Sequence, residues 1–119
     1  MTVLINGIVE VSANHRDAAL AAATAALDEI RAQKGCRHYA WTADPTSPTR
    51  IYVYENWVSS DDLSAHLAGP CFGRMLGILG QYDILDTSIT KYKVALEEPI
   101  FDPEGNPRGD FFTEALATS

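Results

Sequence analysis

Between Arg50 and Phe72 the chain reads R-I-Y-V-Y-E-N-W-V-S-S-D-D-L-S-A-H-L-A-G-P-C-F. An alternating aromatic strand, Ile51 to Trp57, runs into an acid-started helix with almost no loop between them. Side chains alternate across a strand, so Val53, Glu55 and Trp57 share one face while Tyr52 and Tyr54 share the other. Ser59 and Ser60 are candidate caps, and Asp61 and Asp62 suit the positive end of a helix dipole. With so short a connection the helix folds back onto the strand it follows. The Glu55 face then lies under the helix that carries His66, and the tyrosine face needs a different cover.

The rest of the chain repeats the theme. Val3 to Val11 is a β-branched run interrupted by Gly7, with Asn6 as its odd polar residue, and reads as a strand. From Asn14, a candidate cap, Leu20, Ala23, Leu27 and Ile30 recur at helical spacing until Gly35. Cys36 to Thr42 has strand character, and D-P-T-S-P-T (Asp44 to Thr49) is a turn that joins it to Ile51–Trp57 as an antiparallel hairpin. Gly69 and Pro70 break the second helix, which resumes with Phe72, Met75, Leu76 and Leu79 on one face. Ile84 to Leu96 alternates as a last strand.

The order strand, helix, strand, strand, helix, strand predicts an α+β fold: a ferredoxin-like βαββαβ sandwich, a four-stranded antiparallel sheet with both helices on one face. Tyr52 and Tyr54 on the bare sheet face predict a homodimer through that face. Residues 1–96 form the domain. Residues 97–119, broken by prolines and glycines, form an extension expected to pack on the partner subunit through Phe111 and Phe112.

Composition narrows the partners. At 119 residues, 46% hydrophobic and 21% charged, the chain fits one domain with a modest core. Its net charge of -7 and lack of any basic cluster argue against nucleic acid and anionic membranes. No apolar run is long enough to span a bilayer, and the first residues lack a secretory pattern, so the expected compartment is the cytoplasm. Cys36 and Cys71 are too few for a disulfide framework. They read as buried thiols unless the fold brings them together, although a helix start at Cys71 would lower its pKa.

Glu55, facing the helices, needs a partner, and His66 and Asn6 are the nearest candidates. An imidazole oriented by a carboxylate serves as a general base near neutrality, and Trp57 supplies a wall for an aromatic substrate. The blander alternatives are a Glu55 that is solvated or amide-bonded, a Trp57 that is core, and a His66 bonded to a carbonyl. His15, His38 and His66 have no metal-ligand spacing, so no metal site is expected. Gly73, Gly77 and Gly80 do not follow a dinucleotide-binding spacing.

The residues K-G-C-R-H-Y (Lys34 to Tyr39), the turn at Asp44 and Pro45, the E-x-W step from Glu55 to Trp57 and the H-L-x-x-P-x-F run from His66 to Phe72 resemble the antibiotic biosynthesis monooxygenase domain. The resemblance spans residues 3–96 and implies a dimeric α/β barrel of ferredoxin-like subunits. It also implies cofactor-independent oxygenation, haem degradation or isomerisation of a phosphorylated autoinducer, depending on the branch. Trp57 matches the pocket tryptophan of the anthrone oxygenases, but Val53, Leu63 and Gly77 replace their asparagine, tyrosine and arginine. Asn6 matches an asparagine of the haem-degrading members, whereas Leu76 and His66 stand where they keep histidine and tryptophan. The R-I-Y-V-Y-E-N-W segment is most like the quinol monooxygenase and isomerase branches.

The resulting expectation is a cofactor-free monooxygenase of a quinol or other electron-rich phenol. His66 is its base, Glu55 the orienting partner and Asn6 a hydrogen bond to the substrate. Trp57, Val53, Phe72, Met75 and Tyr39 are the expected substrate contacts. Its rivals are an isomerase of a small hydroxy-ketone and a non-enzymatic ligand-binding dimer module.

Overall fold

The structure is a computed structural model that describes residues 1–117 and their side chains through Glu114; the last two residues of the expected extension lie outside the described residues. The strands are β1 (Val3–Val11), β2 (Cys36–Ala43), β3 (Arg50–Trp57) and β4 (Ile84–Lys93), and the helices are α1 (Arg16–Thr24), α2 (Leu27–Arg31), α3 (Ser60–Ala68), α4 (Pro70–Leu79) and α5 (Phe112–Ala117). The sheet order is β2-β3-β1-β4, every neighbouring pair antiparallel. This is the expected ferredoxin-like sandwich.

Parity builds the core. Val3, Ile5, Val9 and Val11 of β1 and Ile51, Val53 and Trp57 of β3 are buried toward the helices, where Ala19, Ala23, Leu27, Ile30, Leu63, Cys71, Met75 and Leu79 meet them. On the opposite face Tyr52, Tyr54 and Tyr92 are 42%, 43% and 48% exposed, so nothing among the described residues covers it. Gly7 lets β1 and β4 approach: a Cβ there would lie 2.6 Å from the Ser88 carbonyl oxygen and 2.7 Å from Ile89 Cα.

The first helical region is two helices, not one. It breaks at Ala25 and Ala26, where Ala26 N–H donates to the Ala23 carbonyl in a tighter turn, and no glycine or proline marks the place. Asn14 is not its cap. His15 occupies that position without a side-chain bond, and the start is tied down by Arg16, which donates to the carbonyls of Ser47 and Arg50 in the hairpin. Ser59 does cap α3, its hydroxyl accepting from Asp62 N–H.

Pairing of β4 ends at Lys93 rather than Leu96, and the chain then leaves the sheet. Residues 100–108 form a small hairpin with a bridge between Phe101 and Pro107 and a positive φ of 85° at Gly105. Phe112 packs within the extension, its ring under the Arg108 guanidinium at 5.1 Å, while Phe111 is exposed. The radius of gyration is 17.1 Å, against about 13 to 14 Å for a compact chain of this size. The extension therefore projects as an arm. No helix among the described residues is long and apolar enough to cross a membrane.

Candidate active site

One row of residues crosses the whole sheet on its helix side. Tyr39 of β2 pairs with Glu55 of β3, Glu55 with Ile5 of β1, and Ile5 with Lys91 of β4. These four line the floor of a cavity of about 530 Å³. Leu63 and Leu67 of α3 and Phe72, Met75, Leu76 and Leu79 of α4 form its roof, and Trp41, Ile84 and Ile89 its flanks. In the helical layer α3 approaches β3 and β4 is left exposed along most of its length, so the cavity opens at the β4 edge.

Glu55 is the single carboxyl among the lining residues and is 7% exposed. Its Oε1 accepts a hydrogen bond from Trp57 Nε1 at 2.9 Å. Burial raises its pKa above the usual 4.5, and the indole N–H only partly offsets that. A carboxyl held this way exchanges a proton closer to neutrality than an exposed one. Beside it the Tyr39 hydroxyl donates to Met75 Sδ at 3.5 Å. Burial first, and then the Glu55 charge, push the Tyr39 phenol far above its usual range, so it remains protonated. Trp41, next but one on β2 and hence on the same face, contributes a buried indole N–H that makes no full hydrogen bond among the described residues but lies near enough to the Tyr39 hydroxyl to act against the rise of that phenol's pKa. An acceptor oxygen in the cavity would compete with that hydroxyl for the donor.

His66 sits elsewhere than expected. Its ring stacks on Trp57 (centroids 4.8 Å apart) and meets Phe72 at 5.3 Å and Tyr39 at 5.6 Å edge-on. The expected pairing with Glu55 is replaced by Gln33, whose Oε1 lies 2.6 Å from Nδ1. With that oxygen accepting, Nδ1 carries the proton and Nε2 keeps a lone pair, buried and unpartnered. Burial lowers the imidazole pKa, so the ring is neutral near pH 7. His66 lies behind the cavity wall rather than on its lining.

Asn6 is a clear correction. It is exposed on the tyrosine face, opposite Tyr54 and Thr90, because its parity on β1 is the reverse of Ile5. It cannot reach Glu55 through the sheet. Of the expected contacts, Tyr39, Phe72 and Met75 line the cavity; Val53 and Trp57 are core residues, 2% and 0% exposed, beneath it. Trp41 and Lys91 were missed, although strand parity on β2 and β4 marks both. Cys36 and Cys71 are free thiols, and burial raises rather than lowers the Cys71 pKa, overriding its place near a helix start. Among the described residues no three His, Cys, Asp or Glu side chains are grouped to hold a metal ion.

The fold recurs in solved structures. A Deinococcus radiodurans protein assigned as an antibiotic biosynthesis monooxygenase superposes with a TM-score of 0.76 at 23% identity, over 84% of this chain and 99% of that one. Rv0793 from Mycobacterium tuberculosis gives 0.73 at 19% identity, over 83% and 100%. A Caulobacter crescentus protein with the same assignment gives 0.73 at 16% identity, over 80% and 91%. No curated protein matches the chain. The antibiotic biosynthesis monooxygenase family model matches residues 2–76, which include β1 to β3, α3 and the roof residues Phe72 and Met75, and the chain belongs to that family.

Proposed function

We propose that the protein is a cofactor-independent monooxygenase of a quinol or comparably electron-rich phenol, with Glu55 as its proton-transfer group. The observation that carries this reading is a single buried carboxyl of raised pKa on the floor of an otherwise apolar cavity. Ionised Glu55 takes a phenolic proton. The resulting phenolate gives one electron to dioxygen, and the ring radical and superoxide combine to form a C–O bond. Cleavage of the O–O bond then makes the new carbonyl, and the departing oxygen leaves as water with the ring proton and the proton held by Glu55. The net change is quinol plus dioxygen to hydroxyquinone plus water. Trp41 N–H binds a substrate oxygen, Phe72 and Met75 hold the ring, and the apolar lining limits water around it.

His66 becomes a positioning residue. It stacks on the indole whose N–H holds Glu55, so its effect on chemistry passes through Trp57. Oxygen uptake with a panel of quinols tests the assignment: Glu55→Gln is expected to lower turnover about 10²- to 10⁴-fold. Undiminished turnover in Glu55→Gln, or turnover of a hydroxy-ketone without oxygen, overturns it.

The active form in this reading is a homodimer closed through the open sheet face, with Tyr52, Tyr54 and Tyr92 at its centre and the arm after residue 96 reaching the partner. Exposed Ile100, Phe101 and Phe111 support that role for the arm. The free cysteines accord with a reducing cytoplasm.

A further inference from the structure

The protein carries nine Lys and Arg against sixteen Asp and Glu. Among the described residues five arginines, Arg16, Arg37, Arg50, Arg74 and Arg108, form ion pairs, and Arg31 donates to the Tyr39 carbonyl. The three lysines, Lys34, Lys91 and Lys93, have no ion-pair partner among the described residues, and Lys91 and Lys93 both project to the helix side of β4. Lys91 lines the apolar cavity and also a second cavity of about 590 Å³, which Lys93, Ser60 and Ser64 line with it. Leu63 and Leu67 form a common wall between the two. In an acidic protein, one unpaired cation at the junction of the two cavities and a second lining the further one set up a local field for an anion.

From this we infer that the substrate is an amphiphile: a planar apolar ring that carries an acidic group, the ring oxygen at Glu55 and the acid at Lys91. This rests on the reading of the first cavity as the active site. Glu55 and Lys91 flank Ile5 in one cross-strand row. Two strand spacings separate their backbones, about 10 Å, the span of a one- or two-ring molecule with substituents at opposite ends. The Lys91 stem covers apolar wall while its ammonium stays at the mouth, where an anion binds without being fully dehydrated. Lys93 and the Ser60 and Ser64 hydroxyls accommodate a longer acidic substituent in the second cavity.

Calorimetric titration with 2-naphthol and 6-hydroxy-2-naphthoate tests the inference at pH 7 and low salt. The naphthoate is expected to bind about tenfold more tightly than the naphthol, and 0.5 M salt to remove most of that difference. Lys91→Met is expected to weaken the naphthoate about tenfold and the naphthol less than twofold, and Lys91→Arg to restore the naphthoate. Equal binding of the two probes to the wild type, or equal weakening by Lys91→Met, overturns the anionic assignment and leaves the cavity reading intact. Failure of both probes to bind overturns both. The salt comparison on the unmodified protein decides the matter should Lys91→Met not fold.

Discussion

At the scale of single residues, Glu55 and His66 are opposite responses to one apolar setting. Burial favours the neutral form of each, raising the carboxyl pKa and lowering the imidazole pKa. The consequences for stability have opposite signs. The Glu55 contribution is full below its unfolded pKa near 4.5 and is lost as pH rises through the higher folded value; the His66 contribution is full above 6.5 and is lost as pH falls through the lower folded value. Glu55→Gln is therefore expected to gain melting temperature relative to wild type as pH rises from about 4 to 8, measured by thermal denaturation. A constant difference across that range rules out a buried, titrating Glu55. Trp57→Phe keeps most of the packing but removes the indole N–H, the one hydrogen bond that lowers the Glu55 pKa. Its turnover profile is expected to shift toward higher pH, with a loss of about 1 to 3 kcal/mol of stability on denaturant unfolding.

At the scale of elements, the site exists because α3 and α4 cover only part of the sheet. Gly69 ends α3 and caps α4 in one extended residue, with Pro70 beginning the next helix, so the two helices bend around the cavity instead of running straight. The other determinant is β4, paired with β1 through a close approach at Gly7. Gly7→Ala is expected to cost about 1 to 3 kcal/mol, because the clash is with backbone that cannot step aside. Hydrogen exchange in that variant is expected to rise first at residues 86–90, around the clash, with β2 and β3 amides unchanged. Uniform loss of protection across the sheet contradicts that account.

At the scale of the whole molecule, an open sheet face bearing three exposed tyrosines and a projecting arm leave apolar surface that one chain does not bury. Tyr54→Glu places a charge at the middle of that face, on the strand between β2 and β1. In the proposed dimer it is expected to weaken self-association at least tenfold by sedimentation, and removal of residues 99–119 is expected to lower that dimer's thermal stability. An unchanged mass for Tyr54→Glu means that the sheet face is not the interface. Truncation without effect on either quantity means that the arm does not reach the partner.

The fold was legible because its determinants are local. Alternation in Ile51 to Trp57, the Ser59 cap, the prolines at 45 and 48 and the Gly69–Pro70 break each act within a few residues, and together they admit one arrangement of four strands and a helical layer. Membership of the family was legible for the same reason, since its motifs lie in those segments. The site was only half legible. Glu55 follows from strand parity and Phe72 and Met75 from helical spacing, whereas Tyr39 stood out only within a segment of family resemblance; which groups meet depends on register between strands remote in sequence. Register places Glu55 in line with Lys91 across Ile5, and the packing of the helical layer gives His66 to Gln33, whereas alternation along β1 already turns Asn6 to the far face. Strand alternation alone turned Glu55 toward the helices, but partners far apart in sequence are fixed by how the sheet and helices pack, so only the tertiary structure decided which residue holds His66 and which cation stands at the cavity mouth.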